Sequence, residues 1–252
     1  MDNNSDFNSP IYVYDGSFDG LLCCVFASYT YKEMPSQVEH EYNGFLPTRN
    51  IQSTDENAQR VRNGIFKTMG SRAFYLVKHA YLSERDNIEL NILKFLKLGF
   101  TIKQSPHRMI YEDCVKAVTE AAKYTLGERH LSLEFLRFSE SNGILTSVIS
   151  PKANILPLLA GHFIDRFPRE TFLIYDSVRQ VALVYSDGKS ALMPLSEYVQ
   201  PAPDENEQKY RRLFTLFYNT IEVKPRHNER CRMNHMPKRF WKNMTEFLSD
   251  KE

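Results

Sequence analysis

"TFLIYDSVRQVALVYSDGKSALMP", residues 171–194, decides how this chain is to be read. Three short, largely apolar runs, Phe172 to Tyr175, Val181 to Tyr185 and Ser190 to Met193, are separated by turn-forming clusters, the pattern of strands broken by turns. Asp187-Gly188, between the last two, supplies the positive-φ residues of a two-residue hairpin. Upstream, "SESNG" turns into a further strand, Ile144 to Ile149. Before it, Leu131, Leu133 and Phe135 alternate from His130, with a phase shift at Leu136 and Phe138 that predicts a bulge. "NILPLLAGHFIDRF" (154–167) predicts an amphipathic helix, with Asn154 as cap, Pro157 in the first turn, and Leu156, Leu159, Phe163 and Phe167 toward a core. The region from about 130 to 193 is thus expected to be a mainly antiparallel sheet with one crossing helix.

Outward from there the period is helical. The chain opens with a strand, Ile11 to Tyr14, a Gly-bearing loop, and a helix from about Phe18 to Lys32. After a polar stretch, Met34 to Thr54, apolar residues recur at helical spacing in four sets. These are Val61, Ile65, Met69; Ala73, Phe74, Val77, Ala80, Tyr81; Ile88, Ile92, Phe95, Leu96, Gly99; and Tyr111, Val115, Val118, Ala122. Beyond "PAPDENEQ", Tyr210, Leu213, Phe214, Phe217 and Ile221 form an apolar stripe that leaves Arg211, Arg212 and Asn219 outward. A last helix from Pro237 buries Phe240 or Trp241 with Met244, Phe247 and Leu248. The expected class is α+β: a helical N-terminal half with a leading strand, the sheet, and C-terminal helices in a single compact unit over 1–252. A lone strand of this length is unstable, so the one at 11–14 is expected to pack on the main sheet.

The longest uncharged apolar run, Leu21 to Tyr31, is about half a bilayer span. The polar start "MDNNSDFNSP" has no signal-peptide pattern, so a cytoplasmic protein without a membrane partner is expected. Cys23, Cys24, Cys114 and Cys231 form no disulfide framework. His227, Cys231 and His235 offer three ligands at helical spacing, which also suits a solvated polar face; no metal and no cofactor is expected.

Charge is uneven. Between Tyr210 and Lys242 nine Lys/Arg face two acids, a local +7 in a chain whose formal charge is +1. That asymmetry is the footprint expected of a polyanion-binding surface, although a solvated basic face would look the same. In "RHNERCRMNHMPKRFWKNM" (226–244), Arg226, Arg230, Arg232, Lys238, Arg239 and Lys242 surround Phe240 and Trp241. Such interleaving suits phosphate neutralisation with base stacking, while a single tryptophan on a terminal helix suits a core anchor equally.

Three other stretches carry candidate chemistry. "YDGSFDG" (14–20) places Asp15, Ser17 and Asp19 where a strand meets a helix N-terminus. A phosphate fits there only if a metal or arginine offsets the carboxylates, and ordinary capping explains the same residues. "GHFIDRFPRE" sets His162, Arg166 and Arg169 along one helix side, able to bind phosphate or to lie in solvent beside Asp165 and Glu170. In "YDSVRQ", Asp176 and Arg179 either pair across the turn or point into a site. No HExxH, P-loop, deaminase or nucleophile-elbow pattern is present.

Taken together, "YDGSFDGLLCCVF", "FLRF" (135–138), "ILPLLAGHFIDRFP" (155–168), "LIYDSVRQVAL" (173–183) and "MPKRFWKNMTEF" (236–247) resemble a bacterial family of DNA metabolism or repair proteins. The match falls on Tyr14 to Phe18, Gly20, Arg137, Phe138, Leu156 to Leu159, His162, Phe163, Arg166, Phe167, Asp176, Arg179, Met236, Pro237, Arg239 and Trp241. From roughly Asp86 onward the chain is similar to a domain of unknown function, which sets a helical part at 1–85 apart from a family domain at 86–250. In some relatives that domain is joined to a uracil-DNA glycosylase-type domain, absent here, so uracil excision does not carry over. Where relatives often show Arg-Asn-Pro, this chain has Arg226, His227 and Asn228. The resemblance implies a radical-SAM DNA-modification or repair protein as partner and assigns no catalytic residue.

Three functions stay open. The first is a nucleic-acid-binding component of a DNA repair or modification system, through Arg137, Arg166, Arg179, Arg226, Arg230, Arg232, Lys238, Arg239, Trp241 and Lys242. The second is an enzyme using His162, Asp176 or Asp15 on a phosphate or base. The third is a protein-interaction adaptor without nucleic-acid contact.

Overall fold

The computed structural model describes residues 9–221 and 228–244, and the chain divides into two compact units, 1–126 and 127–252. The class is α+β, as expected. The N-terminal unit runs β1 (Ile11–Val13), α1 (Phe18–Thr30), β2 (Val38–Glu39), β3 (Thr48–Asn50), α2 (Asp55–Thr68), α3 (Ser71–Tyr81) and α4 (Ile88–Ile102). The division between the units falls within α5 (Asp113–Phe135).

β1 does not join the C-terminal sheet. It is the centre of a parallel sheet ordered β2-β1-β3, with Tyr12 opposite Val38 and Ile11 to Val13 opposite Thr48 to Asn50. Both partners come from the stretch read only as polar. Strands of two and three residues, one of them Thr-Arg-Asn, show no alternation to read. Polar contacts hold them: buried Tyr12 donates its hydroxyl to Glu33 Oε1 at 2.8 Å, and Arg49 Nε–H reaches the same oxygen at 2.7 Å.

α1 is buried on almost every side, with Leu21, Leu22, Cys24 and Val25 fully enclosed. Val61, Ile65, Val77, Ile92, Phe95, Leu96, Val115, Val118 and Ala122 fill the same core, as their spacing predicts. Tyr111 instead precedes α5 and is exposed.

In the C-terminal unit β4 (Ser139–Ser141), β5 (Ile144–Ile149), β6 (Thr171–Asp176), β7 (Val181–Ser186) and β8 (Lys189–Pro194) form one sheet in sequential order. β5 and β6 are parallel, with α6 (Leu156–Arg166) between them in the chain, and the other neighbours are antiparallel. Asp187 and Gly188 have φ of 50° and 74°, and Ser186 faces Lys189, which is the expected hairpin. Phe172, Ile174, Ala182, Leu183, Leu156, Leu159 and Phe163 are buried. The N-cap position of α6 is Ile155 rather than Asn154, without a side-chain cap, while Pro157 lies in the first turn as expected.

The strand expected from His130 is the last part of α5. Ala121, Ala122, Thr125, Glu128 and Ser132 are its buried positions, a helical spacing in which polar residues take over toward the C-terminus. With Glu128 and Ser132 on the inward stripe, the alternation of Leu131, Leu133 and Phe135 marks no strand face.

α7 (Glu205–Ile221) forms where expected, but its stripe is not buried: Tyr210, Leu213, Phe214, Phe217 and Ile221 are 40–67% exposed, and so is Leu216 outside the stripe. Arg211, expected outward, instead reaches Glu207 Oε1 at 2.7 Å and Ser139 Oγ at 2.6 Å. α8 (Glu229–His235) and α9 (Lys238–Trp241) follow, with Met244 buried and Phe240 and Trp241 half-buried. Arg226, His227, Phe247, Leu248 and the side chain of Asn219 lie outside the described residues. No helix among the described residues is long and apolar enough to cross a membrane.

Candidate functional site

Short helices carry the basic stretch. Asn228 caps α8 by accepting the Cys231 N–H at 2.9 Å, and Pro237 takes the N-cap position of α9. Between them Trp241 acts as the anchor. Its indole N–H donates to the Met236 carbonyl at 3.0 Å, while the Arg232 guanidinium and Lys238 Nζ lie 4.9 and 5.6 Å from the ring centroid. Two cations are thus held on one aromatic ring. Arg230, Lys238 and Lys242 are exposed.

Arg239 has a different place. Its two terminal nitrogens grip Glu128 at 2.8 and 2.5 Å, and Glu128, only 5% exposed, also accepts the Lys152 N–H at 3.1 Å. Burial works to raise the Glu128 carboxyl, but the hydrogen bonds from Arg239 and Lys152 outweigh it and hold the group below its ordinary range. Arg232 pairs with Glu229 at 3.8 Å.

The remaining candidates in this unit are placed one by one. Asp176 is fully buried in its own turn, accepting the Val178 and Arg179 N–H groups at 2.9 and 3.3 Å and pairing with Arg179 Nη1 at 3.0 Å. Arg179 also donates to the Pro151 carbonyl at 3.2 Å. Of the two readings of this turn, the structure has the paired one. Arg137 donates to the Glu134 and Leu136 carbonyls. His162 is exposed on α6, edge-on to Phe163, and Arg166, also exposed, lies over Phe167.

The N-terminal unit contains a cleft that sequence reading found only in part. It has a volume of about 520 Å³ and is lined by Asp15, Ser17, Phe18 and Asp19 after β1, by Ser53, Thr54 and Asp55 after β3, and by Arg62 and Lys78. Those two loops leave the carboxyl ends of neighbouring parallel strands, where ligands of open α/β sheets collect. Each loop ends in a helix cap: Ser17 Oγ accepts the Gly20 N–H at 2.9 Å, and Thr54 Oγ1 the Asn57 N–H at 3.4 Å. Asp15 Oδ1 accepts both the backbone N–H and the hydroxyl of Ser17, at 2.9 and 2.7 Å. Slight burial works to raise the Asp15 carboxyl, but these bonds and one from Ser53 hold it below the ordinary range. Asp19 is taken by Arg62 Nη2.

Gly20 makes the arrangement possible, since a Cβ there would stand 2.2 Å from Asp15 Oδ1 and 2.6 Å from Ser53 Oγ. The loop is pinned from behind. The Tyr81 hydroxyl donates to the Gly16 carbonyl, Tyr14 Oη and His40 Nε2 are 3.0 Å apart, and His40 Nε2 is 3.6 Å from Glu89 Oε1. Burial pushes Tyr81 up to about 12 and raises Tyr14 and Glu89 as well. Sequence reading singled out Asp15, Ser17 and Asp19; Ser53, Asp55, Arg62 and Lys78 arrive from distant segments. A cap-type Thr54 followed by Asp55 was the one local signal available for the second loop.

A family model described as a domain of unknown function, DUF4130, matches residues 86–246. The match starts at Asp86, where the resemblance placed such a domain. It includes the basic helices, Asp176 and His162, and leaves the cleft outside. No curated protein matches in sequence. The solved structure of a pGpG-specific phosphodiesterase from Vibrio cholerae aligns over 72% of this chain and 84% of its own, at 10% identity and a TM-score of 0.29. Likeness at that level carries no argument here.

Proposed function

This chain belongs to the DUF4130 family, and we propose that it is a nucleic-acid-binding component of a DNA repair or modification system whose chemistry is performed by a radical-SAM partner. The supporting observation is the surface of α8 and α9, where Arg232 and Lys238 lie against the anchored Trp241 ring and Arg230 and Lys242 of the same short stretch are exposed. Cations fixed in this way neutralise phosphates without reading bases, so binding is indifferent to sequence. Trp241, held through its N–H, positions the cations and does not offer a free stacking face.

The test is anisotropy of labelled single- and double-stranded oligonucleotides with the full chain across a salt series. Affinity falls as salt rises, with a log–log slope of about −3 for three or four phosphate contacts. Absence of association with either form at low salt overturns the reading. Copurification of the radical-SAM protein with the tagged full chain tests the partner.

A second reading, the adaptor, draws on α7. Six apolar side chains exposed along one helix form the kind of surface that marks a protein-docking face. A chain that retains the radical-SAM partner while binding no oligonucleotide supports this reading over the first.

A further inference from the structure

Away from the basic surface, the chain has a second stretch in which cations stand unopposed. Between Asn57 and Ser83 there are five Lys/Arg and no Asp or Glu. The stretch spans α2 beyond its first residues and the whole of α3. Arg62 pairs with Asp19, and Lys78 lines the cleft with its aspartates. Arg60, Lys67 and Arg72 are exposed and have no ion pair among the described residues. The only acids of α2, Asp55 and Glu56, stand in its first turn, about three turns from Lys67.

Aromatic rings lie among these cations. Phe66, near the end of α2, packs against Phe74 of α3 with ring centroids 4.8 Å apart, and Tyr75 meets Phe74 edge-on at 5.6 Å. Phe74 is buried, whereas Phe66 and Tyr75 are 41% and 53% exposed. Arg72 stands one turn before Tyr75 on the same side of α3, and His79, one turn after, stacks on Tyr75 at 6.4 Å. Trp241 is tied by its N–H, but Tyr75 makes no hydrogen bond among the described residues. Exposed rings gain by being covered, and the charge around them selects the cover. An apolar protein face would leave the cations unanswered, while a nucleic-acid strand offers bases and phosphates in alternation.

We propose that the junction of α2 and α3 binds single-stranded DNA, with bases stacked on Tyr75 and Phe66 and phosphates against Lys67 and Arg72. The proposal rests on the nucleic-acid reading of the chain but not on the basic surface, since this face lies in the N-terminal unit, outside the family match at 86–246. It gives that reading a strand preference. Bases in a duplex are covered by their neighbours and offer no face to a ring, so only an unpaired strand uses the aromatics.

The test is anisotropy of the full chain with a labelled single strand, its duplex, and RNA of the same sequence. The parent binds the single strand more tightly than the duplex. Tyr75→Ala, at an exposed position, keeps the parent Tm and lowers single-strand affinity about tenfold while duplex affinity holds. Tyr75→Trp restores both the stacking surface and the affinity. Arg72→Glu weakens single-strand binding and flattens its salt slope by about one. Tyr75→Ala binding single strands as tightly as the parent overturns the proposal, as does a loss shared equally by the duplex. Tighter binding of RNA than of DNA overturns the assignment to DNA. No single-strand binding by the parent also overturns it and leaves the rings to an acidic protein partner. Arg230→Glu with Lys242→Glu reads the basic surface separately. Loss there with none in Tyr75→Ala keeps that surface and removes this one, and the converse keeps this one alone.

Discussion

The N-terminal cleft and the C-terminal basic surface are built on opposite plans. At the basic surface, charge lies on long exposed side chains arranged around one tryptophan, and part of it is spent internally. Arg239 is bound to Glu128 and Arg211 to Glu207, both acids outside the stretch, so its +7 overstates what a polyanion meets. In the cleft, three aspartates suggest an acidic site, yet Asp15 accepts from Ser17 and Ser53 and Asp19 pairs with Arg62, while Lys78 has no ion pair. A residue's formal charge predicts its role only after its partner is known. The stretch most cationic in sequence gives up charge to its fold, while the cleft lined by three aspartates keeps Lys78 out of any ion pair.

The largest expected effect breaks the basic surface from within. Arg239→Ala leaves Glu128 buried and unpaired and costs about 3 kcal/mol in chemical denaturation. Replacing both partners, Glu128→Leu with Arg239→Met, recovers most of that loss and leaves oligonucleotide affinity near the parent value. Affinity lost in the double variant would make Arg239 a phosphate ligand after all. The pair also carries a pH signature. Because the folded-state carboxyl of Glu128 is depressed, its stabilisation is complete above the unfolded value of about 4.3 and is lost as pH falls through the lower folded value. Acid unfolding of the double apolar variant should therefore be shallower than that of the parent.

Next in size is Gly20→Ala, which tests whether the cleft is as tightly drawn as its distances say. The new methyl meets the Asp15 carboxylate, Ser53 Oγ and Tyr14, so the loop must give up its bonds or move. A loss of about 2 kcal/mol is expected. A neutral result would show that Asp15 swings aside at no cost, and the loop would then be less fixed than described.

A smaller effect belongs to the exposed cations. Arg230→Glu with Lys242→Glu leaves the Tm unchanged, since neither residue is buried, and lowers oligonucleotide affinity by about tenfold at low salt, with a flatter salt slope. Equal loss for every sequence confirms phosphate contact; a sequence-dependent loss would point to base reading instead.

Sequence was a good guide where geometry is local. Asp187-Gly188 fixes its hairpin because two positive-φ residues fit almost nothing else, and Ile144–Ile149 was found to the residue. It misled where the tertiary neighbour decides. Glu128 lies on the inward face of α5 only because Arg239 arrives from 111 residues away, and that displaced the helical signal into a false alternation. β2 and β3 are strands because β1 lies between them, and the stripe of α7 shows amphipathicity without naming what covers it. The same holds for the cleft: "YDGSFDG" was legible as a strand-to-helix turn, but Arg62 and Lys78 enter from α2 and α3, and no local pattern announces them.

The smallest effect probes the cleft at its hinge, Ser17. Its hydroxyl accepts the Gly20 N–H and, having its own proton free, donates it to Asp15 Oδ1, so one side chain both caps α1 and holds the carboxylate. Ser17→Ala removes the cap and one of the donors to Asp15. The cap is exposed, and its loss costs about 1 kcal/mol. The second consequence is electrostatic and has a fixed sign. Asp15 is held below its ordinary value by hydrogen bonds that favour the charged form, so deleting a donor moves its titration upward toward that of a free aspartate. Carboxyl NMR titration of the parent and Ser17→Ala reads this directly. If Asp15 titrates identically in both, the hydroxyl is not its donor, and the loop that separates this cleft from an ordinary acidic turn is held by the Ser17 backbone N–H and Ser53 alone.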